Sequence, residues 1–251
     1  MPIYQLRGYL LPPHRKLTVP VDIHLPWGDD TGFSSNITVK IIDSQVDITC
    51  ETTRLATPEE EMQLRFRSLD TARWMVGCAS FITGLGVTVV LTKMIKPGGV
   101  EFPLDFENPN LARLVTAHTL DPQSYTEMVT SISDLKMVFA MNDLIESITA
   151  PHVGVVNCCR AVEGIRLMMT PQGASKKQGW ETMRQNLNID QSYLVFITEQ
   201  SEGPRHADRS GVKSPEYMMA IERAWTIMNR YLEFRKRGNQ LLLAPDFPLL
   251  K

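Results

Sequence analysis

The apolar residues change period part-way along the chain, and that change limits the fold more than any other feature of the sequence. Val19, Val21, Ile23 and Leu25 alternate with Pro20, Asp22 and His24, and Ile37–Ile42 and Val46–Thr52 alternate around Asp43-Ser44-Gln45. Such alternation puts one face of a strand in a core and the other in water, and a short polar break between two such runs predicts a hairpin. From Tyr125 onward the apolar residues step instead by three and four, the spacing of one helix face. Segregated habits of this kind predict an α+β chain, with an N-terminal β-rich antiparallel sheet carrying a buried helix and a C-terminal antiparallel helical bundle. Asn108-Pro109-Asn110 and Asp121-Pro122 frame the change in composition, so the expected domains are residues 1–120 and 121–251.

Within the first half, Ile3–Leu11 predicts a strand stopped by Pro12-Pro13. Thr57-Pro58-Glu59-Glu60-Glu61 opens a helix that runs toward Arg67, with threonine as cap, proline at the first position and acids facing the positive end of the dipole. A buried helix is expected over 69–83, then a strand to Ile95, the turn Pro97-Gly98-Gly99 and a partner strand Val100–Leu104.

In the second half a helix over 125–148 would turn Met128, Ile132, Leu135, Phe139 and Ile145 toward the core. The next, about 151–168, gathers Val155, Cys158 or Cys159, Val162, Ile165 and Met169 on one face and leaves Arg160, Glu163 and Arg166 elsewhere on its circumference. Trp180, Met183 and Leu187 mark a short helix, and Asp190 caps another carrying Tyr193, Leu194 and Ile197. The last helix opens at Ser214-Pro215-Glu216, closes at Arg235-Lys236-Arg237-Gly238 and shows the stripe Met218, Ile221, Trp225, Met228 and Leu232. The apolar tail 240–251 is expected to pack back on the protein.

A formal net charge of −2 gives no footprint of a nucleic-acid coat, so any nucleic-acid contact would be local. Cys50, Cys78, Cys158 and Cys159 have no metal or redox spacing and read as reduced thiols, and the five histidines form no metal motif. No cofactor and no metal are expected. The opening residues lack the apolar block of a signal peptide, and the uncharged run Trp74–Leu91 is broken by Gly84 and Gly86, so a cytoplasmic protein without a membrane span is expected.

Ser201-Glu202-Gly203-Pro204-Arg205-His206-Ala207-Asp208-Arg209 is the densest group of chemically able side chains, read as a turn between helices. Arg205 and Arg209 can hold a phosphate by paired hydrogen bonds, and a histidine, here His206, is the side chain suited to move the proton of a 2′-hydroxyl. These three are the candidate catalytic residues, supported by Arg160, Glu163 and Ser201. The structural alternative is that Arg205 or Arg209 pairs with Glu163, Glu202 or Asp208 and fixes the loop.

The run Asn157-Cys158-Cys159-Arg160-Ala161-Val162-Glu163, followed by Ser201–Arg209 and a long closing helix, resembles the HEPN-like helical domains of bacterial proteins, including the Apea-type group. That resemblance covers about the second half. It implies a dimerising antiparallel bundle which, in active members, cuts RNA without a metal and is in some cases associated with defence. The active motif is an arginine followed four to six residues later by histidine. Here Glu199, Gln200 and Ser201 stand at those spacings before His206, and only the residue types carry over, to Arg205 and His206. The expectation is therefore a HEPN-like protein that binds or cuts RNA in a bacterial defence or stress system. Its alternative is a non-catalytic binding or regulatory module. The partners expected are a second copy, RNA or another protein.

Overall fold

The computed structural model describes residues 1–251 apart from 30–31, 105–108, 132–133, 151–152 and 207–213. It divides into two compact units, Met1–Phe106 and Glu107–Lys251, and is α+β as the change of period requires.

The first unit is one antiparallel sheet, β1 (Ile3–Leu11), β2 (Ile23–Gly28), β3 (Ser34–Ile42), β4 (Gln45–Thr52), β5 (Thr88–Ile95) and β6 (Glu101–Pro103), in the order β2-β3-β4-β1-β5-β6. Alternation assigns its faces. Tyr4, Leu6 and Leu10 of β1 and Ile37, Val39 and Ile41 of β3 are buried in one core with Leu64, Leu69 and Ala72 of the helix α1 (Pro58–Thr83). Asp43 and Ser44 take positive φ angles of 50° and 66°, so the hairpin turn is two residues long and Gln45 already pairs with Ile42. The Ser44 hydroxyl donates to the Arg15 carbonyl at 2.8 Å and accepts from the Leu17 amide at 2.9 Å, which ties the preceding loop to the turn. At the irregularity between Arg7 and Gly8 the strands close in, and a Cβ on Gly8 would lie 2.0 Å from the Val90 carbonyl oxygen.

Two expectations for this unit are corrected. The strand expected over 19–25 begins at Ile23 and runs through Pro26, which an edge strand accepts because no neighbour needs its missing N–H. Thr57 caps a single 26-residue helix with a full capping box, so Leu69-Asp70-Thr71 continues the helix that opens at Pro58. At 1.5 Å per residue this helix is about 39 Å long, whereas the nine residues of the longest strands reach about 30 Å. Its core contribution therefore stops at Val76, and Phe81 and Ile82, expected to be buried, are 91% and 81% exposed.

The second unit holds α2 (Pro109–Leu114), α3 (Pro122–Ser131), α4 (Leu135–Thr149), α5 (Gly154–Met169), α6 (Lys176–Leu187), α7 (Gln191–Arg205) and α8 (Ser214–Lys236). Helix α8 packs on α2, α4, α5, α6 and α7, and α5 packs on α4, α6, α7 and α8, so these two form the centre. That is why α8 buries Tyr217, Ala220, Ala224, Ile227 and Tyr231 as well as Ile221, Met228 and Leu232 of the expected stripe, while Met218 and Trp225 are half-buried. Both Cys158 and Cys159 are fully buried.

The helix expected over 125–148 is two helices, because the Asp134 carboxylate accepts from the Lys136 amide at 2.9 Å and caps α4. Its expected core stripe is also corrected. Leu135, Phe139 and Ile145 are 64%, 58% and 52% exposed, and Met137, Ala140, Leu144 and Ser147 face inward; Ile132 lies outside the described residues. A Cβ added to Gly164 of α5 would sit 3.3 Å from the Ala140 Cβ. This close approach of small residues selects the inward face of a helix that is apolar on both sides. The tail does pack back, with Leu242 fully buried and its amide donating to the Asn186 carbonyl at 2.9 Å.

Candidate functional site

The stretch expected to be a turn begins as helix. Ser201–Arg205 is the last turn of α7, Pro204 included, and His206 is its C-cap, donating its backbone N–H to the Gly203 carbonyl at 2.9 Å. Arg205 and His206 thus sit at the negative end of the α7 dipole, where a cation stabilises the helix. Arg209, Ala207 and Asp208 lie outside the described residues.

From that end the Arg205 guanidinium reaches across to α5 and donates through Nη2 to the Cys159 sulfur at 2.8 Å. Burial pushes the Cys159 thiol above its usual pKa, while the neighbouring Ser201 hydroxyl and the Arg205 charge pull it down. The net direction is up, so the sulfur stays a neutral thiol, and among the described residues no carboxylate pairs with Arg205. Ser201 is buried and gives its one hydrogen to the Thr198 carbonyl at 2.7 Å. Glu163, one turn along α5 from Cys159, meets Lys176 of α6 at 3.8 Å, too long for a strong pair.

Of the six residues proposed from sequence, the fold therefore brings Arg205, Ser201 and Glu163 to one face of α5 around Cys159. His206 is exposed beside Arg205. Arg160 belongs elsewhere, paired with Asp143 of α4 at 3.2 Å, and burial raises the Asp143 carboxyl above its usual range against the pull of that arginine. Of the partners expected for Arg205, Asp208 lies outside the described residues, and a bond to the Cys159 sulfur stands where one to Glu163 or Glu202 was expected.

Sequence reasoning missed three residues of this face. Lys176 stands in the first turn of α6, and Arg166 is 93% buried, with its guanidinium 5.3 Å from the Trp180 ring centre. The spacing could have revealed Arg166, because Cys159, Val162, Arg166 and Met169 step by three, four and three on the core stripe. Burial also pushes the thiols of Cys158 and Cys50 up, to about 12 and about 11, which marks both as unreactive packing groups. Among the described residues no three His, Cys, Asp or Glu side chains are placed to hold a metal ion, and no helix is long and apolar enough to cross a membrane.

In the sheet unit a trough of about 480 Å³ is lined by Trp27, Asn36, Glu51 and Thr53 with Met1 and Pro26. Glu51 is the one charged side chain among the described residues that line it.

Residues 4–103 match the N-terminal domain, and residues 123–236 the C-terminal domain, of a domain of unknown function, DUF8168. The chain belongs to the DUF8168 family. The N-terminal DUF8168 domain corresponds to the sheet and α1, and the C-terminal one runs from α3 to the last residue of α8, so the strapping tail follows it. No curated protein and no solved structure matches the chain. DUF8168 membership names no activity, and the likeness to HEPN domains rests on the residues quoted for it.

Proposed function

We propose that this DUF8168 protein is a HEPN-like RNA-binding protein whose helical unit contacts RNA phosphates where α5, α6 and α7 meet. The carrying observation is that Arg205 of α7 reaches Cys159 of α5 and Lys176 of α6 reaches Glu163 one turn along, with His206 next to Arg205 in the chain and exposed. One terminal nitrogen of Arg205 is held by a neutral sulfur, which fixes the fork and leaves its charge and its other N–H groups for a phosphate. With a net charge of −2 the contact is local, so affinity is modest and depends on salt. Fluorescence anisotropy with a single-stranded RNA oligonucleotide tests it. Arg205→Ala should weaken binding about tenfold and lower the slope against salt concentration by about one. Equal affinity of the variant and the parent ends the proposal.

A second reading, a metal-independent endoribonuclease of a bacterial defence or stress system, is favoured by the exposure of His206 beside Arg205. His206 would serve as general acid or base and Arg205 would stabilise phosphate charge. Cleavage in the presence of EDTA, abolished in His206→Ala, distinguishes it from a non-catalytic module.

The outward face of α4 supports a homodimer. Leu135, Val138, Phe139 and Ile145 are exposed on it, and α3 before it buries none of its residues, a state in which ten residues do not hold a helix in water. Lys136 and Glu146 stand near opposite ends of the stripe, so a two-fold axis near the middle of α4 sets each against the other's opposite charge. Sedimentation should give a dimer for the parent chain and a monomer of unchanged helicity for Phe139→Glu. A monomeric parent chain removes this part of the proposal.

A further inference from the structure

Arg166 has no acceptor. It is 7% exposed, its Nε is sealed from solvent without a hydrogen-bond partner, and among the described residues no carbonyl, hydroxyl or carboxylate accepts from the guanidinium. A buried arginine ordinarily meets an anion or a set of carbonyls, because its five donors lose water when they enter the protein. Arg230, equally buried, follows that rule and donates to the Leu187 and Pro248 carbonyls at 3.0 and 2.6 Å. Arg166 instead lies against the Trp180 ring, which fixes the plane of its fork and provides no acceptor.

A second feature stands about one turn earlier on the helix that carries Gly179 and Trp180, where Lys176 lies 3.8 Å from Glu163 of α5. The first turn of α6 carries Lys176 and Lys177 and no acid, which sets two cations at the positive end of a twelve-residue helix. Ser175 caps the Gln178 amide at 3.3 Å, and the amides of the first two positions have no acceptor within the helix. Gly179 lets the arginine come this near, because a Cβ there would lie 3.3 Å from Arg166 Nη1 and 2.2 Å from Thr170 Oγ1. A helix N-terminus, two lysines and a buried unmatched guanidinium together form the arrangement that oxyanions occupy.

We propose that Arg166, held on Trp180 beside the N-terminus of α6, binds a phosphate group of a ligand. This rests on the RNA-binding reading and deepens it. The site lies two turns along α5 from Cys159, on the same face, and would take a second phosphate on a strand whose first is held by Arg205.

The test titrates the intact chain with sodium phosphate against sodium chloride at equal ionic strength. It follows the Trp180 indole N–H resonance, assigned by its loss in Trp180→Phe, together with the thermal midpoint. Phosphate should move that resonance saturably and raise the midpoint, whereas chloride should do neither. Arg166→Met keeps the stem and removes the charge. It should bind phosphate at least about tenfold more weakly and, without phosphate, melt no lower than the parent. A Trp180 resonance that phosphate leaves in place overturns the proposal on the parent chain alone, whatever the variant does. A variant that responds as the parent does also overturns it. The RNA measurement is read separately: RNA binding with an unmoved Trp180 ends the Arg166 site and keeps the reading above it, and a phosphate response without RNA binding keeps the site and ends that reading.

Discussion

In the sheet unit the buried charge is settled locally. Glu60 accepts from two nitrogens of Arg54, six residues before it, at 2.8 and 2.6 Å, and from the Thr57 amide it helps to cap. In the helical unit the buried cations look to other elements. Arg230 of α8 holds the α6 end and the tail by their carbonyls, and Arg166 of α5 lies on a ring of α6 with no acceptor for its hydrogens among the described residues. The contrast separates charge used to close a helix from charge that joins helices or waits for a ligand. The phosphate contacts proposed for Arg205 and Arg166 follow from that contrast, since a charge already matched by its own neighbours has little left to offer a partner.

The largest effect that would test this contrast is in the sheet. Gly8→Ala forces a methyl group to 2.0 Å from the Val90 oxygen, in the middle of two strand pairings. It should destabilise the sheet unit by roughly 3 kcal/mol, read as an early urea transition while the helical signal persists. One shared transition, shifted as a whole, would show that the two units do not unfold separately. Next comes Arg230→Met, which leaves the Leu187 and Pro248 carbonyls without donors and should cost about 2 kcal/mol. Arg166→Met should cost nothing by comparison. Equal losses at the two positions would erase the distinction between them.

The smallest effect is a pH dependence. Hydrogen bonds from Arg54 hold the Glu60 carboxyl below its usual range. A lowered carboxyl adds stability above its unfolded pKa, about 4.3, and that stability is lost as the pH falls through the lowered folded value. Glu60→Gln keeps the shape of the cap and removes the titration. Urea midpoints from pH 7 to pH 3 should therefore fall less steeply for the variant, and parallel curves would contradict the assignment.

Much of the fold was readable because its signals are local. Alternation in Val46–Thr52 and the cap at Thr57 concern neighbours in the chain, and both stand as the residues suggest. The face of α4 was not readable. Apolar residues occur on both sides of it, and the contact of Ala140 with Gly164, residues far apart in sequence, decides which side is covered. The site was half legible. Arg205 and His206 were picked as candidates by residue type, and Ser201–Arg209 read as a turn, whereas Ser201–Arg205 with Pro204 is the last turn of α7.

By itself the sequence determined two architectures and their order, because strand and helix periods are set by the geometry of successive residues. It also determined a long closing helix with an apolar stripe, of which Ile221, Met228 and Leu232 are buried. Only the tertiary structure decided which arginines matter and how. Arg160 went to Asp143, Arg205 to a neutral thiol, Arg230 to carbonyls of the α6 end and the tail, and Arg166 to a ring without an acceptor. A guanidinium carries the same charge at every position in the sequence. What it can bind depends on which acceptors reach it, and packing alone supplies or withholds them.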